Sequence, residues 1–148
     1  MKLAGDRTLG RLIKWLRILG IPCEMLPVRH PDEIPGDVLF LTRNRRLASP
    51  KTLVILPDRL EEQLSFLFVR QPQLKREISP FSLCLRCNAS LEEISREEVF
   101  GLVPDFIYQT HNKFRKCPRC GRIYWRGSHP KRMLRKLETL SLMPKVGG

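Results

Sequence analysis

The clearest periodic pattern in the chain is an amphipathic segment close to its beginning. Leucine and isoleucine recur at helical spacing through residues 9–19, and basic residues occupy the other side. The basic residues are Arg11, Lys14 and Arg17. Gly20 and Pro22 follow the segment, and both residue types disfavour continuation of a helix. The pattern therefore predicts one helix with a core-facing apolar side and a solvent-facing basic side.

Short apolar runs elsewhere in the first half of the chain predict strands. Residues 38–42 (VLFLT) and 52–56 (TLVIL) are continuously apolar, which is typical of parallel strands buried on both faces. The runs at 2–5 and 23–28 are candidates for the first two strands. The order of strands and helices predicts a small α/β fold with a largely parallel sheet and flanking helices.

The pattern changes after a proline-containing, charged stretch at 70–80. Before this stretch, residues 57–68 predict a second helix with Asp58 at its N-cap. After it, the chain carries paired cysteines in place of long apolar runs. We therefore expect an α/β domain over 1–78 and a cysteine-bearing module with a basic C-terminal tail over 79–148.

Two C-x-x-C pairs define the second unit. Cys84 and Cys87 form the first pair, Cys117 and Cys120 form the second, and 29 residues separate the pairs. Four thiolates complete a tetrahedral Zn²⁺ site and leave no open position for catalysis. A redox pair is the alternative, and it would require a pair at a helix start beside a sheet. We expect one structural zinc ion in a zinc ribbon, and we expect Cys23 to be a buried apolar residue.

The charge distribution points to a polyanionic partner. The chain has a net charge of +12 at pH 7. Residues 106–137 carry ten Lys or Arg and no acid, whereas residues 88–105 carry five acids and one base. Nucleic acid is the commonest partner for a surface of this kind, and a solvated basic surface without a partner is the alternative.

Basic and aromatic residues in both units are candidate RNA contacts. The aromatic residues Tyr124 and Trp125 are equally explained by packing over the metal-binding turn. The complete set of candidate RNA contacts is Arg11, Lys14, Arg17, Arg43, Arg122, Tyr124, Trp125, Arg126 and His129.

No apolar run approaches the roughly 20 residues that cross a bilayer, and no signal-peptide pattern follows Met1. Paired cysteines in a reducing compartment bind metal more often than they bind each other. We therefore expect a cytoplasmic protein that has no membrane partner and no small-molecule cofactor.

Polar residues follow each predicted strand. Asp6, Asp32, Asn44 and Asp58 come after successive strands, and such residues gather at one edge of a parallel sheet. Carboxylate and amide oxygens are suitable ligands for Mg²⁺ or Mn²⁺, which activate water in phosphodiester hydrolysis. Ordinary structural roles explain the same residues, because Asp6 and Asp58 also suit helix caps and Asp32 also suits a turn.

Several segments together resemble the Mut-seven C-terminal RNase domain family. The similar segments are GDRTLGRLIKWLRILGI, VLFLTRNRRLA, EEQL, CLRCNASLEEI and CPRCGRIYWRGSHPKRM. They occur in the family's order and extend from Asp6 to about Met133. The resemblance implies a PIN-like nuclease fold joined to a zinc ribbon, acidic ligands for a divalent metal, and action on RNA.

Within this resemblance, Asp6 matches the acid after the first strand and Asp58 matches the acid after the fourth. Asn44 stands where the family has the aspartate of LTRD, and the segment around Asp32 and Glu33 is shorter than usual. The resemblance implies a Mg²⁺- or Mn²⁺-dependent ribonuclease with Asp6, Asp32, Asn44 and Asp58 at its catalytic site. The two departures leave a non-catalytic RNA- or ribosome-binding protein as the alternative, and a scaffold for protein partners as a third interpretation.

Overall fold

A four-stranded parallel sheet forms the first unit of the computed structural model, which describes residues 1–127 and 129–139. The strands are β1 (Lys2–Gly5), β2 (Cys23–Met25), β3 (Val38–Thr42) and β4 (Thr52–Val54). Their order across the sheet is β2-β1-β3-β4, and every neighbouring pair is parallel. The prediction of an α/β fold with a largely parallel sheet is confirmed.

Two helices cover one face of this sheet. They are α1 (Gly10–Ile18), which connects β1 to β2, and α2 (Leu60–Arg70), which follows β4. Alternation along the strands directs Leu3 and Leu41 into the core beneath these helices, while Ala4 and Phe40 pack in a smaller cluster with residues of the loops. The helix predicted over residues 9–19 forms over Gly10–Ile18, and it ends just before Gly20, as the sequence predicted.

The predicted N-cap of the second helix is wrong. The helix begins at Leu60, and Arg59 stands at the N-cap position without a side-chain cap bond. The carboxylate of Asp58 is instead engaged by the Arg43 guanidinium, whose Nη2 lies 2.6 Å from Asp58 Oδ1. The Asp58 carboxylate therefore pairs with an arginine that follows the neighbouring strand and does not cap the helix.

A small antiparallel sheet forms the second unit. Its strands are β5 (Glu92–Ile94), β6 (Phe114–Lys116) and β7 (Ile123–Trp125), in that order across the sheet. A short helix, α3 (Asp105–Thr110), lies between β5 and β6 in the chain. A core of Val99, Val103 and Phe114 supports this unit, which is small for independent stability without a further constraint.

A C-terminal helix, α4 (His129–Thr139), returns to the first core. Met133 and Leu137 are buried in the same cluster as the side chains of α1 and α2. Lys136 Nζ also lies 3.7 Å from Glu61 Oε1 of α2. This helix lies in the segment that was expected to be a basic tail, and residues 140–148 of that segment lie outside the described residues. The domain boundary after residue 78 stays a prediction.

The two units are joined closely at the end of α1. Gly20 has a positive φ of 82°, a conformation that side chains other than glycine rarely adopt. The carbonyl of the neighbouring Leu19 accepts a 2.7 Å hydrogen bond from the Ser79 N–H. A Cβ atom at Gly20 would lie 2.1 Å from the Ser79 carbonyl oxygen, so this junction requires glycine.

We expect Gly20→Ala to lower the free energy of unfolding by about 2–4 kcal/mol, because the change adds backbone strain and a steric clash. The matched control is Gly36→Ala, since no atom lies within 4 Å of a Cβ at Gly36. That control should stay within about 0.5 kcal/mol of wild type in urea unfolding. Equal effects of the two substitutions would contradict the tight junction.

Candidate functional site

The two C-x-x-C segments fold as matching turns. In the first turn the Asn88 N–H donates to the Cys84 carbonyl at 2.9 Å, and in the second the Gly121 N–H donates to the Cys117 carbonyl at 2.9 Å. Asn88 and Gly121 both have positive φ values, 58° and 78°. Asparagine and glycine tolerate this conformation best, which is why each turn ends on one of them.

The turns bring four sulfur atoms together. The Sγ atoms of Cys84, Cys87, Cys117 and Cys120 all lie within 4.8 Å of one another. Backbone N–H groups of Cys87 and Cys120 approach Cys84 Sγ and Cys117 Sγ at 3.4 and 3.5 Å. Such N–H groups stabilise thiolates, so the cluster can hold a metal ion such as zinc, in a site with no open position.

The side chain of Tyr124 contacts this cysteine cluster through its hydroxyl group. Its hydroxyl lies 3.1 Å from Cys84 Sγ and accepts a 3.1 Å hydrogen bond from the Leu85 N–H. Since the hydroxyl oxygen already accepts from Leu85, its proton is directed at the sulfur. The sequence around Tyr124 is compatible with stacking on a base or packing over the turn, and no local pattern signals this bond to Cys84.

The hydrogen bonds around Cys84 change its acidity. Burial acts to raise the pKa of the Cys84 thiol, but bonds from Tyr124 and from the backbone of Cys87 and Arg86 outweigh it and lower the pKa to about 6. Desolvation and the neighbouring thiols raise the pKa of Cys87 to about 12. Burial and the bond to Cys84 raise the pKa of Tyr124 to about 12. The Cys84 thiolate is therefore favoured at neutral pH, whereas the Cys87 thiolate needs a bound cation to balance its charge.

The first cysteine turn docks on the parallel sheet through Arg17. The guanidinium donates from Nε to the Cys23 carbonyl at 3.0 Å and from Nη1 to the Leu85 carbonyl at 2.9 Å. The Asn88 side-chain oxygen accepts from the Cys23 N–H at 3.0 Å. Two of the Arg17 donors therefore join the two units of the fold, and an RNA contact by Arg17 stays a prediction. Cys23 is fully buried, as expected, and burial raises the pKa of its thiol to about 12.

Asp6 occupies the end of β1 and is held by two threonines. Its Oδ1 accepts from the Thr8 N–H at 3.0 Å and from the Thr8 hydroxyl, and its Oδ2 accepts from the Thr42 hydroxyl at 2.6 Å. The carboxylate therefore caps the 3₁₀ turn Arg7–Leu9, as its structural interpretation required. The hydrogen bond from the fully buried Thr42 also ties the Asp6 carboxylate to the end of β3.

The neighbouring strand end brings Asn44 and Asp58 into the same network. The Asn44 side-chain oxygen caps its own 3₁₀ turn by accepting from the Arg46 N–H at 3.0 Å. The Arg43 N–H donates to the Thr8 hydroxyl at 3.0 Å, and its guanidinium binds Asp58. Hydrogen bonds thus connect Asp6 to Asp58 through Thr8 and Arg43, and both oxygens of Asp6, the Asn44 side-chain oxygen and Asp58 Oδ1 each accept from a protein donor.

Asp32 lies apart from this network. It belongs to the 3₁₀ turn Pro31–Glu33, its side chain is 92% exposed, and its Oδ2 lies 3.3 Å from His30 Nδ1. Within residues 1–127 and 129–139, the cysteines are the one group of three or more His, Cys, Asp or Glu ligands within 4.8 Å of one another. The structure therefore does not bring Asp6, Asp32 and Asp58 together.

The order of the strands explains this separation. The strands that precede Asp32 and Asp58 are β2 and β4, which are the two outermost strands of the sheet. Three inter-strand spacings amount to about 14 Å, so only long loops would allow both carboxylates to reach the end of β1. The segment after β2 forms a tight turn instead.

The sequence matches the family model described as Mut7-C RNAse domain over residues 1–137. This chain belongs to the Mut7-C RNAse domain family. The resemblance inferred from its motifs is thereby confirmed. The match covers both the parallel sheet and the cysteine turns, and it supports an RNase-type or otherwise RNA-related function. No curated protein and no solved structure shows significant similarity to the chain.

The remaining candidate contacts of this Mut7-C chain divide into exposed and packed residues. Arg11, Lys14, Arg122 and Arg126 are exposed, and so is His129 at the start of α4. Trp125 is half-buried against the core of the second unit, and its ring centroid lies 6.4 Å from that of His111.

None of the helices in the described part of the chain has the length and apolar character needed to cross a bilayer.

We expect Tyr124→Phe to weaken metal binding by the cysteines about tenfold, because it removes a hydrogen bond to a ligand sulfur. Loss of that bond also raises the pKa of Cys84, so metal release on acidification should begin at a higher pH. Titration with Co²⁺, followed by thiolate-to-metal absorption and by zinc competition, measures both effects.

The matched control for this measurement is Tyr108→Phe. Tyr108 belongs to the same unit, but its ring contacts are with Arg96 and Phe100. Its substitution should leave the Co²⁺ affinity unchanged. Equal Co²⁺ affinities for the two variants would show that the Tyr124 hydroxyl does not support the cluster.

Proposed function

We propose that this chain is an RNA-binding protein built on a nuclease fold, with a sheet edge that favours phosphate over a catalytic metal ion. The observation that carries the proposal is the charge of the segments after β1, β3 and β4. Their two acids, Asp6 and Asp58, are outnumbered by arginines. The arginines are Arg7, Arg43, Arg45, Arg46 and Arg59. An edge of this composition attracts phosphate groups and repels a divalent cation.

RNA is the polyanion that the family membership favours. Exposed basic residues occur on both units, with Arg11 and Lys14 on α1 and Arg122 and Arg126 beside the second cysteine turn. Spread over two units, these residues suit a long anionic chain better than a compact anion. The proposed setting is the cytoplasm, where thiols stay reduced.

Metal-dependent ribonuclease activity is the second candidate. Family membership favours it, and so does the position of Asp6 at the carboxyl end of β1 beside buried Thr42. In this candidate, Mg²⁺ or Mn²⁺ would be held by Asp6 and Asp58, with Asn44 as a neutral ligand and Asp32 as a more distant acid. The bound ion would supply water activation.

The residues present fit this second candidate poorly. Asn44 offers no negative charge, Arg43 neutralises Asp58, and Asp32 lies apart with His30. A divalent ion needs several free oxygen ligands, and here most of them would have to exchange a protein donor for the metal. We therefore assign no catalytic step to this edge.

The metal of the cysteine cluster is proposed to be a single structural zinc ion. Four closely spaced sulfur atoms suit Zn²⁺, and the small core of the second unit leaves much of its folding free energy to the metal. Zinc content in the Tyr124→Phe experiment reports on this assignment as well.

RNA affinity should fall steeply with salt, because each phosphate contact releases condensed counterions. Reversal of Arg122 and Arg126 to Glu should lower the slope of log affinity against log salt by about 2 in fluorescence anisotropy. The control reverses Lys75 and Arg76, which carry the same charge on the 3₁₀ helix Pro72–Glu77. Affinity that does not respond to salt, or equal losses in both variants, would contradict binding by this surface.

Labelled RNA incubated with Mg²⁺ or Mn²⁺ should be cleaved no faster by wild type than by Asp6→Ala. Asn44→Asp, which restores the family's acid, should strengthen Mn²⁺ binding by adding a carboxylate at the edge. Metal-dependent cleavage that Asp6→Ala abolishes would establish the ribonuclease candidate in place of the non-catalytic one.

A further inference from the structure

Two cavities, one in the second unit and one between the two units, share Phe81 and Arg126 as lining residues. One cavity has a volume of about 250 Å³ and is mainly polar. The other has a volume of about 600 Å³ and is mainly apolar. A polar and an apolar cavity that share an aromatic lining residue suit a ligand with an anionic part and a flat, apolar-faced part.

The polar cavity is positively charged. Its cations, Arg96, Lys113, Arg115 and Arg126, outnumber its one acid, Glu93. Arg96 is engaged with the Tyr108 carbonyl at 2.8 Å, and Arg115 donates to the Phe81 carbonyl at 2.5 Å. Lys113 and Arg126 are exposed and complete the cationic lining. A phosphate group matches this cavity in charge.

The apolar cavity lies between the two units and has aromatic walls. Ile18 of α1 and Leu134 of α4 line it together with Leu85 of the first cysteine turn. Its aromatic lining residues are Phe81, Tyr124 and Trp125. Aromatic side chains stack on nucleobases of any sequence, and the volume is within the range of small-ligand sites.

Phe81 is held at the boundary by an unusual backbone. Its φ is 68°, a conformation that bulky side chains rarely adopt. The Arg115 guanidinium lies 4.8 Å from the centre of the Phe81 ring, and that of Arg126 lies 5.9 Å from it. Strained residues of this kind persist where the surrounding structure holds them, often at binding sites.

We propose that these two cavities bind one nucleotide of an RNA strand. The base stacks on Phe81 in the apolar cavity, and the adjoining phosphate is held by Lys113, Arg115 and Arg126. This site rests on the proposed RNA-binding function and gives it a defined point of contact, in the second unit and at its junction with the first. It is independent of the sheet edge around Asp6.

The test uses the zinc-loaded full chain with two probes, a fluorescein-labelled oligouridylate and inorganic polyphosphate, which has phosphates but no bases. Phe81→Asn removes the ring while asparagine tolerates the positive φ, and Phe81→Tyr is the control that keeps a ring. Phe81→Asn should weaken oligouridylate binding about tenfold and leave polyphosphate binding unchanged. Lys113→Gln should lower the salt slope by about 1 for both probes.

The outcomes separate the site from the function. Salt-dependent RNA binding that neither Phe81→Asn nor Lys113→Gln alters would overturn the nucleotide site and leave the proposed function standing. Absence of RNA binding by wild type would overturn the function. Equal losses for both probes in Phe81→Asn would show that the ring has only a structural role. If Phe81→Asn unfolds, crosslinking of wild type to 4-thiouridine RNA should label Phe81 or Trp125, and labelling elsewhere would overturn the site.

Discussion

The guanidinium of Arg17 determines how the two units of this chain meet. It donates to one carbonyl on the parallel sheet, Cys23, and to one on the first cysteine turn, Leu85. The planar fork of an arginine suits two such acceptors at once, and a lysine would satisfy them less well. The position of the cysteine cluster, and therefore of the apolar cavity between Ile18 and Leu85, depends on this contact.

The sheet edge around Asp6 carries little free negative charge. Asn44 is neutral where the resemblance implies an acid, and Arg43 pairs with Asp58. The neutral Asn44 and the Arg43–Asp58 ion pair both leave less free negative charge at the place where a parallel sheet gathers its functional groups. Under the proposed function, the same edge that holds a cation in a metal-dependent nuclease contacts phosphate here.

The second unit illustrates how a small module obtains stability from outside its own core. Its apolar cluster is limited to Val99, Val103, Phe114 and a few half-buried neighbours. The cysteine cluster supplies a cross-link when a metal is bound, and Tyr124 supports that cluster through Cys84. Charge is segregated as well, because residues 88–105 are acidic while the residues that follow are basic.

Local sequence patterns determined the helix α1, the strand β3 and the metal-binding turns. These features depend on periodicity and spacing over a few residues, which a sequence displays directly. Only the tertiary structure decided that Arg43 binds Asp58, 15 residues away, and that Tyr124 binds Cys84, 40 residues away. It also decided that α4 returns to the first core. Such partners are selected by three-dimensional proximity, and the local pattern around each residue is compatible with several of them.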